Sequence, residues 1–287
     1  MPSQQASGRL AAKRGAAQMG AMTTPARLTR ALIRVAGPEA RGFLNNLLTQ
    51  SLDTLDQAGL LYGALLTPQG KVLADMLIWD DGDGLVLELD ASRADDIERR
   101  LTMYKLRANV SITRDQRGVL WSTETFDGAL RDPRLNELGW RALSNDTAGN
   151  ADEAYNAHRL ALGVPDLSRD TKPDEVFGLE ALLDELNGVD FKKGCFVGQE
   201  NVSRMKRRAT TRKKLCRIAF EGAAPAFGTT ISAGDADLGD VRSGADGHAI
   251  ALLRLDRALA ASESLMADGR LMRLDAPEWL ALPPADA

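Results

Sequence analysis

Lys193-Gly194-Cys195-Phe196-Val197-Gly198-Gln199-Glu200 stands where the pattern of the chain changes. Before it, strand-like and helix-like segments mix. After residue 215 only short strands and glycine-rich turns remain. The stretch holds one of two cysteines, two closely spaced glycines, a lysine and a Gln-Glu pair. Glycine permits positive φ and close backbone approach, so a cysteine bracketed by Gly194 and Gly198 is expected at a turn, its sulfur presented. Lys192 and Lys193 sit beside it, and nearby cations favour a thiolate. The competing reading is a buried cysteine acting as a small hydrophobe.

Working backward, Asn187-Gly188 turns the chain into this stretch, and Val176–Leu186 is expected to be a short helix. Ala151–Leu162 has helical spacing. Residues 122–149 are polar and turn-rich and are expected to form an internal linker. Leu28–Val35 reads as the first strand, ended by Gly37-Pro38. Phe43, Leu44, Leu47 and Leu48 share one face of a helix over 39–48. Leu60–Leu66 and Lys71–Trp79 form a hairpin around Thr67-Pro68-Gln69-Gly70. Ser92 is expected to cap the helix carrying Ile97, Leu101 and Tyr104. Hairpins between neighbouring strands argue for an α+β sheet.

Working forward, strands are expected at 215–220, 228–231, 238–241, 249–255 and 271–274, the pattern of a small β-barrel. The expected division is a tail over 1–21, an α+β body over 22–205 and a barrel domain over 206–287. Residues 1–21 carry Arg9, Lys13 and Arg14 and no acid. They read as a disordered tail, a transit peptide, or translation upstream of a true start at Met22.

The formal net charge is −4 over 287 residues, which argues against nonspecific nucleic-acid binding by the whole surface. Residues 192–217 nonetheless hold ten Lys or Arg and a single acid, Glu200. That segment suits an anionic cofactor tail, an acidic partner or RNA, or else a solvated connector. Two cysteines make neither a zinc pattern nor a private iron–sulfur site. No apolar run has membrane-spanning length. No GxGxxG or Walker loop is present.

The Lys193–Glu200 stretch, with Arg204 four residues on, resembles the signature of the YgfZ family of folate-binding iron–sulfur assembly factors. That family is related to the aminomethyltransferase (T-protein) of the glycine cleavage system. The resemblance extends over about residues 27–256, through Gly42–Thr49, Leu65–Leu73, Tyr104–Val110, Leu238–Ser243 and Ala251–Arg254. It implies an aminomethyltransferase-like α+β body with a small C-terminal β-barrel, and tetrahydrofolate as cofactor. Glu180, Asp184, Asp75 and Arg107 are the implied folate contacts. Gly178 replaces a frequent proline and Phe196 a frequent tyrosine. Leu73-Ala74-Asp75-Met76 carries one carboxylate where the transferase has two. The resemblance further implies a factor for assembly or repair of iron–sulfur proteins, not a conventional enzyme. Cys195 would be its redox-active thiol or a ligand to a transient cluster shared with a partner, and Lys193 would keep that thiol ionised. Gly194, Gly198, Gln199, Glu200 and Arg204 would shape the loop, and Cys216 would pack in the barrel. The alternatives are a folate-dependent one-carbon transferase using Asp75 and a factor supporting tRNA modification. The implied partners are assembly or client proteins, with direct tRNA contact a further reading. The expected state is a monomer, cytoplasmic in a bacterium, or mitochondrial if residues 1–21 are a transit peptide.

Overall fold

The computed structural model describes residues 24–146, 149–208 and 211–283; the tail expectation for residues 1–21 lies outside them. A five-stranded antiparallel sheet organises the first half, in spatial order Leu60–Leu66, Val72–Asp80, Gly84–Asp90, Arg30–Ala36, Ser111–Asp115. Successive strand residues point to opposite faces. Thus Ile33, Val35, Leu87 and Leu89 pack with Phe43 and Leu44 of helix Ala40–Leu47 and Ile97 and Leu101 of helix Ala94–Lys105. Leu32, Leu77, Trp79 and Val86 face the other way, into a second apolar cluster with Trp121. Burial on both faces explains why Leu60–Leu66 and Val72–Asp80 are almost continuously apolar, where a one-sided antiparallel sheet would alternate.

A second sheet of four strands, in order Ala26–Leu28, Gly118–Ser122, Trp140–Ser144 and Leu130–Arg131, lies against that face. Residues 122–149 are therefore not the expected linker. They supply two strands, and Asp132, Arg134 and Arg141 among them are buried. Arg141 is wholly buried between Glu88, 2.5 Å from its Nη1, and Asp132, 2.8 Å from its Nε. Arg134 donates to Asp132 and to the Tyr155 hydroxyl, each at 2.7 Å. Trp79 Nε1 donates to Glu88 at 3.1 Å. Burial would push the Asp132 carboxyl up, but the Arg134 and Arg141 guanidiniums hold it far below the carboxylate range.

The barrel closes through six strands: Lys213–Ala219, His248–Arg254, Ala236–Ala245, Thr230–Ala233, Leu265–Ala267 and Arg270–Leu274. Leu265–Ala267 was not expected; it turns back through Asp268 and Gly269, both at positive φ, as a tight hairpin requires. The barrel's Leu252 and Val241 belong to the same apolar cluster as Trp79 and Trp121. Arg159, on helix Asp152–Leu162, reinforces this joint by donating to Asp170 at 2.9 Å and to Ser243 of the barrel at 2.6 Å.

Two local expectations are corrected. Ser92 is not the cap: its N–H and hydroxyl both donate to Asp90, which caps the turn leading into helix Ala94–Lys105. Val176–Leu186 is a succession of turns, not a helix. Its backbone is drawn into bonds with the hairpin (Val72 N–H to Val176 O, Gly178 N–H to Gly70 O) and Leu182 has φ +63°.

Replacing Arg141 with Met would leave Glu88 and Asp132 buried without their shared partner. It should cost about 3–5 kcal/mol in urea unfolding. Acid acts on the same network. The Asp132 contribution is complete above the unfolded carboxyl range near about pH 4 and is lost as pH falls through and below it. Wild type should therefore lose more stability between neutral and acid pH than the Arg141→Met variant.

Candidate functional site

The Cys195 loop is held at both ends. At its start, Lys193 is buried, and its ammonium donates to the carbonyls of Asn45, Leu48 and Gln50 at 2.7, 2.7 and 2.9 Å. These carbonyls close helix Ala40–Leu47 and the turn after it, where backbone acceptors lack helical partners and a cation is favoured. Burial and the three acceptors pull the Lys193 charge in opposite directions: burial lowers its pKa, with Asp190 and Asp53 opposing, and the carbonyls need its protons. The Lys193 ammonium also lies 5.4 Å from the Phe196 ring centre. An ammonium has three hydrogens, and all three are used here. Lys193 is therefore a strut for the loop, with its three hydrogens spent on these carbonyls.

At the other end, Gly198 has φ +84° and lies against the hairpin turn Thr67–Gly70. A Cβ on it would stand 2.6 Å from Thr67 O and 3.0 Å from Gly70 Cα. Gly70, also at φ +84°, faces Asn201 and Gly198 in return. Asn201 bonds the Gln69 carbonyl and Arg204 bonds Asn201. Helix Gln199–Arg208 starts from this crossing and buries Val202. Gly194 differs from its partner glycine. Its φ is not positive and an added Cβ would meet nothing within 4 Å. Gln199 and Glu200 were expected to fix the loop by side-chain bonds. Among the described residues the hydrogen bonds of that region run instead through Lys193, Asn201 and the backbone.

Between the two anchors Cys195 is exposed, whereas Cys216 is fully buried on the first barrel strand. Burial pushes the Cys216 thiol up to about 12, so it packs as a neutral group. His158 reaches the Glu137 carbonyl and His248 lies beside Asp275; neither pairs with Cys195. Lys192, Arg204, Arg207 and Arg208 are exposed on the same segment, and Lys206 is spent on Asp184 and the Phe191 ring. Among the described residues no three His, Cys, Asp or Glu side chains converge to hold a metal ion.

The four expected folate contacts do not come together. Asp75 accepts from the Tyr62 hydroxyl at 3.0 Å. Its carboxyl is raised by burial and then by Asp166, with Arg30 and Arg134 opposing. The cavity beside it measures about 10 Å³, room for one water. Glu180 accepts from the Phe177 N–H at 2.9 Å while its carbonyl receives Leu215 of the barrel, so it fastens a turn. Asp184 is paired with Lys206 at 3.0 Å in a separate cleft. Arg107 is exposed on the turn after helix Ala94–Lys105. The residues around Asp75 therefore do not fit a tetrahydrofolate ring.

With this geometry in hand, comparisons place the chain. Residues 212–282 match the family model described as CAF17, C-terminal beta-barrel domain. The mitochondrial iron-sulfur cluster assembly factor IBA57 of Mus musculus is 28% identical, with 87% of this chain and 83% of that protein covered. Its Homo sapiens counterpart is 29% identical with the same coverage. The chain is similar to the IBA57 iron-sulfur cluster assembly factors. The Neurospora crassa IBA57 homolog is 30% identical over 69% of this chain, and the chain spans about half, 54%, of that relative's length. Among solved structures, the aminomethyltransferase T of the glycine cleavage system from Bartonella henselae superposes with a TM-score of 0.71. It is 14% identical, with 89% of this chain and 86% of that one covered. The fold is thus aminomethyltransferase-like α+β with a closed C-terminal barrel, as the resemblance implied.

The anchors can be tested separately. Gly198→Ala should lower stability by about 1–3 kcal/mol, from strained φ and the clash on the turn, while Gly194→Ala should stay within about 0.5 kcal/mol of wild type. Lys193→Met should cost about 3 kcal/mol in the same denaturant melts, because three carbonyls lose their donor.

Proposed function

We propose that this chain is a factor for the assembly or repair of iron–sulfur proteins and that Cys195 is the group through which it acts. The observation that carries the reading is the contrast between the two thiols. Cys195 is exposed on a loop anchored at both ends, and Cys216 is sealed inside the barrel. The similarity to IBA57 proteins over most of their length supports the class of function, as does the resemblance of Lys193–Glu200 to the YgfZ signature.

The cluster is cargo in this reading. Cys195 offers one thiolate, and a cluster usually takes four cysteines; the others come from the partner that delivers or receives it. The rigid anchors hold the thiol outward at low entropic cost, and the exposed Arg204, Arg207 and Arg208 suit an acidic partner surface. The partner is accordingly an assembly or client protein. Support of tRNA modification then follows from cluster supply to modifying enzymes, not from direct tRNA contact. No step is assigned to tetrahydrofolate, since the residues around Asp75 do not fit it. The one-carbon transferase alternative lacks an assembled site for the same reason. Of the two locations considered, the relatives' names favour the mitochondrion over a bacterial cytoplasm. No described helix is long and apolar enough to cross a membrane.

The decisive experiment expresses Cys195→Ala and Cys216→Ala in cells depleted of the wild-type protein and measures [4Fe-4S] enzyme activities. Cys195→Ala should fail to restore them. Cys216→Ala should restore them despite losing about 1–2 kcal/mol of barrel stability. Full restoration by Cys195→Ala would remove the thiol from the mechanism.

A further inference from the structure

Helix Ala94–Lys105 ends in an apolar knuckle. Leu106 is 87% exposed and Met103 66%, the two highest values among the described large apolar residues. Three residues apart across a helix end, they are surface neighbours. Leu106 closes the helix at φ +46° and ψ −106°, a conformation open to glycine and costly for a leucine. Burial does not account for the leucine, since its side chain lies in water. Strain of this kind persists where a functional site makes use of it. The charges sort along the same helix. Arg99 and Arg100 pair with Asp96, and Arg114 of the adjoining strand pairs with Asp95 and Glu98. The Lys105 and Arg107 side chains, on either side of Leu106, have no ion-pair or hydrogen-bond partner among the described residues.

The knuckle is joined to the Cys195 loop by helix Ala40–Leu47. After Leu106 the chain rests on the start of that helix. Asn109 N–H donates to Glu39, and a Cβ on Gly37 would stand 2.6 Å from the Asn109 carbonyl. At the other end of the helix Lys193 holds the Cys195 loop. Eight residues make this helix about 12 Å long. Glu39, Gly42 and Asn46 form its exposed row, and a Cβ on Gly42 would meet nothing within 4 Å. An interface of about 800 Å² per partner is wide enough to cover the knuckle, this row and the thiol together.

We propose that the knuckle at 103–107 docks the acidic partner protein that meets Cys195, with the partner lying along helix Ala40–Leu47. Leu106 and Met103 enter an apolar hollow on the partner, and Lys105 and Arg107 pair with carboxylates at its rim. The inference rests on the partner reading above and adds the place where that partner is gripped. Charge selects the occupant. An anionic lipid surface would face a molecule of net charge −4 and touch only the convex tip. A second copy of this chain would bring like cations together. A protein with a carboxylate-rimmed hollow satisfies the apolar pair and both free cations at once.

The test expresses variants of the full chain in cells depleted of the wild-type protein and reads [4Fe-4S] enzyme activities. The urea midpoint and the rate of Cys195 alkylation by iodoacetamide are measured on the purified variants. Leu106→Gly removes the knob and relieves its φ. The midpoint should hold or rise while the activities fall at least about fivefold, whereas a leucine with a structural role would lower the midpoint. Arg107→Glu should give the same loss and Arg107→Lys should not. Arg99→Glu, the same charge change on the paired part of the helix, should leave the activities at wild-type level. Cys195 should be alkylated at the wild-type rate in each variant. Benzoylphenylalanine placed at Asn46 should give one adduct mass on irradiation, and Leu106→Gly should abolish it. Full activity in Leu106→Gly, activity lost together with the midpoint or the alkylation rate, or no adduct at Asn46 would each overturn the proposal. Two further results would overturn it by naming another occupant. One is binding to phosphatidylcholine–cardiolipin vesicles that Leu106→Gly abolishes; the other is a wild-type dimer in sedimentation equilibrium that Leu106→Gly dissociates. If Cys195→Ala restores the activities and Leu106→Gly does not, the thiol reading fails and the docking surface stands; the reverse result removes the docking surface alone.

Discussion

The body rests on one buried guanidinium. Arg141 lies wholly out of water between Glu88 of the five-stranded sheet and Asp132 of the four-stranded one. Two sheets whose facing sides were purely apolar could slide over one another. Charges buried between them cannot, since any slip leaves a carboxylate unpaired in a low-dielectric interior. Arg134, Tyr155 and Trp79 complete the network, and Arg159 repeats the device where the body meets the barrel.

Against this fixed body the signature loop is built by subtraction. Gly70 and Gly198 lack side chains where two turns cross, so helix Gln199–Arg208 can start directly on the hairpin turn. Lys193 uses its hydrogens on the end of helix Ala40–Leu47. What these contacts leave over is Cys195, exposed and with no base or metal cluster beside it among the described residues. Such a thiol lends itself to exchange with a partner better than to hydrolysis, where a nucleophile needs a neighbouring base.

Local chemistry made much of this legible in advance. The apolar runs and intervening turn of Leu60–Trp79, the helical spacing of Phe43, Leu44 and Leu47, and the glycine-rich run after residue 215 all report backbone preferences and burial that act over a few residues. A turn at Gly198 was readable because positive φ is a local property. The missed barrel strand Leu265–Ala267 carried a local signal too, the Asp268-Gly269 pair of a tight hairpin.

By itself, then, the sequence determined most of the strands and helices of the body, the turn at Cys195 and the barrel, since each depends on neighbours along the chain. Tertiary structure alone decided which charges are buried. Residues 122–149 look like a polar linker because Asp132, Arg134 and Arg141 are hydrophilic, yet each becomes an interior residue once its partner arrives from a distant strand. Lys193 looked like a cation for the adjacent thiol and instead serves carbonyls almost 150 residues back. Asp184, an implied folate contact, is instead a largely buried carboxylate paired with Lys206. The desolvation of a charge is set by everything that surrounds it in space, and no window of sequence contains that information.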